Sequence, residues 1–257
     1  WSLKDLIIKT GETMFGNIKN ASGENLDYTF HAGDKSSQHI VVPGPGVTGN
    51  KDRPFLVELA DNLSNAGIPT IRFSFSGNGN SDGEFTQSTI SKEIGDLASV
   101  LDVLDNHTIC YVGHSMGGAV GVLSASQDNR IKLLVSLAGM VETKAFAQRE
   151  FGDVTPDKGF MWGEPTCPLS QAYMDDLTQI DTVVDCASKI SVPWLLVHGT
   201  EDDVLPIEDS QKIYAQANEP KELFTIEDAN HVFSDDSLNP MVEKVVDWIR
   251  NQLALTS

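Results

Sequence analysis

The chain has 257 residues, 40% of them hydrophobic, enough to bury a substantial core as one domain across residues 1–257. Its 18 basic and 37 acidic residues leave a net charge of −19, a surface that repels phosphate backbones and anionic lipid and so speaks against nucleic acid or membrane partners. No run of 18 apolar residues occurs, so no membrane-spanning helix is expected, and three cysteines are an odd set for a disulfide framework.

The opening Trp1–Asp5 lacks the charged and then apolar pattern of a signal peptide, and a cytoplasmic protein is the expectation. Leu6–Lys9 and Leu26–His31 read as strands around the polar turn Asn20–Asn25, an N-terminal antiparallel hairpin. His39–Val42 is a short apolar strand that runs into Pro43-Gly44-Pro45-Gly46-Val47-Thr48-Gly49. From Arg53 to Ala66 the apolar positions 55, 56, 59, 60 and 63 share one helical face, and Gly67 closes it. Thr70–Phe75 is the next strand, followed by a Gly- and Ser-rich loop to Gly83 and a helix from about Ser91 to Leu104.

Thr108–Val112 is a β-branched and aromatic strand, and Gly113-His114-Ser115-Met116-Gly117 follows it at once, ahead of the helix-like Ala119–Leu123. Strand, tight turn and helix is the context that gives Gly-x-Ser-x-Gly a mechanism. The serine is held on a sharp elbow with its hydroxyl above the sheet, and the glycines allow helix and strand to pack closely. Leu133–Ala138 is again a fully apolar strand. Residues 140–187 break the rhythm: they hold no long apolar strand but carry Phe146, Phe151, Phe160, Met161, Trp162 and Tyr173. Strands at 192–198 and Leu223–Ile226 then alternate with helices Ile207–Ala217 and Pro240–Leu253. Apolar strands alternating with amphipathic helices predict an α/β fold, a mostly parallel sheet covered on both faces, with residues 140–187 as an insertion. Cys110 falls in a core strand, and Cys167 and Cys186 are expected as free thiols.

A serine hydroxyl needs a base to take its proton and an acid to orient that base. On this architecture both belong in loops at the carboxyl ends of later strands. Glu201, Asp202 and Asp203 follow the 192–198 strand, and His231 alone among six histidines lies in the last strand-to-helix loop. Glu142, beyond the Leu133–Ala138 strand, is a more distant acid. Asp in place of Ser115 would have meant dehalogenase or epoxide-hydrolase chemistry. The Gly77-x-Gly79 loop lacks the third glycine of a dinucleotide fingerprint, and no His, Cys and Asp cluster has metal-ligand spacing, so no cofactor or metal is expected.

Gly113-His114-Ser115-Met116-Gly117-Gly118, His198-Gly199-x-x-Asp202-x-x-Leu205-Pro206, the His231 loop and Gly77-x-Gly79-x-Ser81-Asp82-Gly83 together resemble the α/β-hydrolase superfamily, over about residues 26–253. Within it the chain is most similar to bacterial feruloyl (cinnamoyl) esterases and related carboxylesterases. The resemblance implies Ser115 as nucleophile, His231 as base and Asp202 as orienting acid. It also implies an oxyanion hole built by the N–H of Met116 and one from the loop after the early strand, usually His-Gly-x. Here the histidine is missing. Reading Pro43-Gly44-Pro45 as that motif leaves no donor at its third place, because proline has no N–H; reading Pro45-Gly46-Val47 makes Val47 the donor. Residues 140–187 are expected to cap the serine, with Phe160, Trp162 and Tyr173 lining a pocket for a small acyl or aromatic group. The expected partner is a small-molecule ester, with a homodimer left open. A peptidase, thioesterase or carbon–carbon hydrolase on the same triad, and a non-catalytic ligand-binding protein, are the alternatives.

Overall fold

The computed structural model describes residues 14–34 and 37–256, so the strand expected at Leu6–Lys9 lies outside the described residues. The turn at Asn20–Glu24 does close an antiparallel hairpin, between β1 (Ile18–Lys19) and β2 (Asn25–Leu26). β3 (Tyr28–His31) then leaves it to join the main sheet.

The main sheet adds β4 (His39–Gly44), β5 (Thr70–Phe73), β6 (Thr108–His114), β7 (Ile131–Leu137), β8 (Trp194–Gly199) and β9 (Lys221–Ile226). Its spatial order is β3-β5-β4-β6-β7-β8-β9. β3 is antiparallel to β5, and every other pairing is parallel. A parallel sheet needs a crossover for each strand, and these place helices on both faces. α1 (Pro54–Asn65) opens on proline, whose missing N–H costs nothing at a helix start, and packs with α7 (Leu238–Thr256) over one face. α2 (Ile90–Val103), α3 (Met116–Ala125) and α6 (Ile207–Gln216) cover the other face.

The strand side chains alternate accordingly. Val41, Val112, Val135 and Val197 join the α1–α7 core, whereas Ile40, Val42, Tyr111, Leu134 and Leu196 join the opposite one. The central strands are therefore apolar on both faces, which is why they read as continuous runs. Within 140–187 two further helices form, α4 (Thr143–Phe151) and α5 (Gln171–Ile180). The Ser170 hydroxyl caps α5 by accepting from the Tyr173 N–H at 3.1 Å. The three cysteines are free. No helix among the described residues is long and apolar enough to cross a membrane.

Candidate active site

β6 delivers the chain straight into α3 through Ser115, whose backbone stands at φ 53°, ψ −120°. A non-glycine residue here carries strain of about 1–3 kcal/mol, and its neighbours hold it in place. The Ser115 N–H donates to the Leu137 carbonyl at 3.0 Å, and the Ser115 carbonyl accepts from Gly118 and Met140 at 2.8 and 2.9 Å. The flanking glycines are required by contact. A Cβ at Gly113 would lie 2.2 Å from the Gly117 carbonyl oxygen, and one at Gly117 would lie 2.5 Å from that of Pro45. The elbow is thus pressed between its own helix and the loop after β4.

That loop faces the serine. A Cβ at Gly46 would meet Ser115 Cβ at 2.7 Å and Oγ at 3.2 Å, so Gly46 lies directly beside the hydroxyl. Val47 and Ser115 line one cavity, and no hydrogen bond within the protein engages the Val47 N–H among the described residues. Met116 is the first residue of α3, where an N–H has no intrahelical acceptor.

Asp202 and His231 come from loops after β8 and β9, and several contacts bind those loops together. Thr200 and Glu201 donate through their N–H groups to Ile226 and Ala229 at 3.0 Å each. A Cβ at Gly199 would sit 2.1 Å from the Ala229 carbonyl oxygen, so only glycine fits where the strand ends. The His231 Nδ1–H donates to Asp202 Oδ2 at 2.8 Å. Asp202 Oδ1 accepts from the Val204 and Leu205 N–H groups at 2.9 and 2.8 Å. The second histidine, His198, is fully buried behind the carboxylate. Its Nε2 reaches both Asp202 Oδ2 at 3.2 Å and the Leu205 carbonyl at 3.0 Å. Both are acceptors, so Nε2 carries the proton, and the Ser210 hydroxyl meets Nδ1 at 2.7 Å. Burial acts to raise the Asp202 pKa, but the hydrogen bonds from His198 and His231 outweigh it and hold the carboxyl well below the ordinary carboxylate range.

His114, the residue before the serine in the elbow, is buried against Phe55 with ring centroids 4.6 Å apart. Burial, reinforced by the nearby His231, pushes its pKa down to about 3, so it is neutral at pH 7.

The cavity holds about 290 Å³ and is lined by Ser115, His114 and His231, by Gly46–Gly49, and by Arg53, Phe55, Phe146, Trp162, Val204 and Val232. Of the three aromatics expected there, the structure puts only Trp162 in the wall. Tyr173 is 1% exposed and packs in the core against Phe151, at 6.2 Å between ring centroids, because α5 buries the face it stands on. Phe160 is exposed and opens onto a different depression, beside Pro168 and Gln171. Phe146, from the buried face of α4, takes the inner place instead. His114 and His198 were not expected to contribute, and neither was Arg53.

The sequence profile of the prolyl oligopeptidase family matches residues 92–256, from α2 to the end of α7. The chain belongs to the prolyl oligopeptidase family. Its fold is the α/β-hydrolase fold. It superposes on Est1E of Butyrivibrio proteoclasticus, a structure with ferulic acid bound, with a TM-score of 0.82 and 25% identity over 93% of this chain and 99% of that one. The mouse α/beta hydrolase domain-containing protein 10 gives a TM-score of 0.76 at 18% identity over 94% and 99% of the two chains, a likeness of fold. By sequence, the mitochondrial palmitoyl-protein thioesterase ABHD10 of Bos taurus is 26% identical over 74% of this chain and 64% of its own length. The uncharacterized protein YfhR of Salmonella typhi is 25% identical over 94% and 76%.

Proposed function

We propose that this protein is a serine esterase that cleaves small acyl or aromatic carboxylic esters through an acyl-enzyme intermediate. The observation that carries the reading is the 2.8 Å bond from His231 Nδ1–H to Asp202, beside a cavity that His231 and a strained serine both line. With its Nδ1 proton held by the carboxylate, the imidazole keeps Nε2 free as a base. Ser115 Oγ attacks the ester carbonyl as His231 Nε2 takes its proton. The N–H groups of Val47 and Met116 stabilise the tetrahedral oxyanion. His231 returns the proton to the leaving alcohol, and water activated by the same imidazole releases the acid.

A cavity of about 290 Å³ stands at the small end of ligand sites, which run roughly 300–1,000 Å³. That favours a short acyl chain or a single aromatic ring, and Phe146 and Trp162, as part of a cap formed by residues 140–187, would pack against it. The ferulic acid in Est1E is of that size class. The family assignment favours a second reading, a peptidase, in which the same triad opens an amide. A panel of p-nitrophenyl esters from acetate to decanoate, methyl ferulate and an aminoacyl anilide separates the two. Hydrolysis of the short esters and ferulate, lost by about 10⁴ or more in Ser115→Ala, supports the esterase. Turnover of the anilide alone replaces it with the peptidase, and an alanine variant that keeps a tenth of the rate removes the serine mechanism.

A further inference from the structure

The cavity beside Ser115 carries one guanidinium in its wall, that of Arg53. The chain has five arginines, and acidic residues outnumber basic ones by 37 to 18. Four arginines are paired: Arg72 with Asp52, Arg130 with Asp102 and Asp128, Arg149 with Glu150, and Arg250 with Asp247. Arg53 forms no ion pair among the described residues. The adjacent Asp52 is held by Lys51 at 2.9 Å and Arg72 at 3.0 Å. Arg53 Nη2 donates to Thr48, to the carbonyl at 3.2 Å and more weakly to Oγ1 at 3.5 Å. A guanidinium has five N–H donors, so most of this one's planar fork is uncommitted.

Arg53 is exposed, and its position is mildly unfavourable for the helix. Arg53 is the N-cap residue of α1, where the positive end of the helix dipole favours an acid over a cation. It gives no side-chain cap to the helix in return. An unpaired cation at a positive helix end, in the wall of a reaction cavity of an acidic protein, has the chemistry of a carboxylate receptor.

The spacing suits a short linker. Gly46 lies against Ser115, the Gly49 N–H closes a turn onto the Gly46 carbonyl at 2.9 Å, and a Cβ at Gly49 would lie 3.5 Å from Arg53 Nε. The Gly46–Gly49 turn, under about 7 Å between its own end Cα atoms, runs from the serine at one end to the guanidinium at the other. We propose that Arg53 binds a second carboxylate on the acyl part of the substrate, so that half-esters of short dicarboxylic acids are preferred over neutral esters of equal length. This rests on the esterase reading above. The net negative surface opposes the approach of such an anion from afar, but at about 0.15 M salt, where the Debye length is about 8 Å, that repulsion is largely screened and the contact in the cavity persists.

The test compares kcat/KM for monoethyl adipate and ethyl hexanoate by pH-stat in the wild type, Arg53→Gln and Arg53→Lys. The expected result is a wild-type preference for the half-ester that falls about 10- to 100-fold in Arg53→Gln, the size of a lost charge-assisted contact, and returns in part in Arg53→Lys. A half-ester to neutral-ester ratio unchanged within about threefold in Arg53→Gln overturns the assignment while leaving the esterase intact. If the wild type cleaves neither ester, the esterase reading is decided by the p-nitrophenyl ester and ferulate panel alone. Arg53 is then judged by calorimetric titration of monoethyl adipate into Ser115→Ala with and without Arg53→Gln. Binding that weakens at least tenfold without the arginine upholds the carboxylate site; equal binding, or none in either protein, overturns it.

Discussion

His114 Nε2 donates to the main-chain carbonyl of His231 at 2.9 Å, and the two rings stand with centroids 4.8 Å apart. The residue next to the candidate nucleophile thus ties down the loop that carries the candidate base, 117 positions further along the chain. The tie requires a proton on Nε2, and burial keeps the rest of the ring without a second one.

The burial of His114 sets a pH dependence of stability. The folded pKa of His114 lies at about 3, well below the ordinary histidine value of 6.5. Below about pH 6.5 the unfolded chain takes up a proton that the folded chain refuses, so stability present at neutral pH is lost progressively as pH falls toward about 3. The slope from this one group is up to about 1.4 kcal/mol per pH unit. Urea midpoints between pH 7 and pH 4 should fall less steeply in His114→Asn than in the wild type. His114→Ala should also lower ester turnover by about tenfold, since the base loop loses its anchor. Parallel midpoint curves would show that His114 titrates freely in the folded protein.

Tyr173 discriminates a core role from a pocket role. Its hydroxyl is buried without a hydrogen-bond partner among the described residues, so removing it should cost little and Tyr173→Phe should stay within about 1 kcal/mol of wild type. Tyr173→Ala should lose about 3–5 kcal/mol, the usual result for a large side chain cut from a packed interior. Neither should alter relative rates across an acyl-chain series by itself, whereas Trp162→Ala should. A changed chain-length profile in Tyr173→Phe would return that residue to the pocket.

His198 serves Asp202 from behind. Replacing it with Phe keeps the volume but removes the Nε2–H donor to Asp202 and leaves the Ser210 hydroxyl without its partner. Destabilisation of about 1–3 kcal/mol is expected, with a lower kcat at little changed KM, because the acid that orients His231 is less well held. Thermal melts and steady-state rates read the two effects separately. An unchanged kcat would confine His198 to a packing role.

The elbow was legible in the sequence because it is local: Gly113, Ser115 and Gly117 stand at alternate positions within one five-residue strand-to-helix junction, and their contacts are with one another and the neighbouring loop. Both faces of the sheet are buried, so its strands stood out as apolar runs. The histidines behind the site were hidden because His114 and His198 act through atoms brought close only by the sheet order. Residues 140–187 misled for a different reason. The aromatic residues of α4, of α5 and of the turn Met161–Gly163 between them divide between core and cavity according to how each segment is set against the sheet, so Tyr173 and Trp162 looked equivalent. Arg53 was invisible as a site because the lack of a partner is a property of three-dimensional neighbours.

The choice among neighbouring acids follows from burial. The Asp202 side chain is 1% exposed and meets four hydrogen-bond donors, two histidine N–H groups and two main-chain N–H groups. Asp203 is exposed, and Glu142 pairs with Lys212 away from the cavity. Asp202→Asn replaces one carboxylate oxygen with an amide that cannot accept from His231, so the imidazole tautomer is no longer set and kcat should fall by about 10²–10⁴. The carboxylate also supports the fold in a pH-dependent way. Its folded pKa is depressed below 3.8, so its contribution is present above that pH and is lost as pH falls through the folded value. The wild type should therefore lose more stability than Asp202→Asn on acidification below pH 4. Asp203→Asn and Glu142→Gln should each change kcat by less than about tenfold. The three variants measured side by side decide the assignment: a severe loss in Asp203→Asn or Glu142→Gln, with Asp202→Asn near normal, would move the orienting acid to that residue.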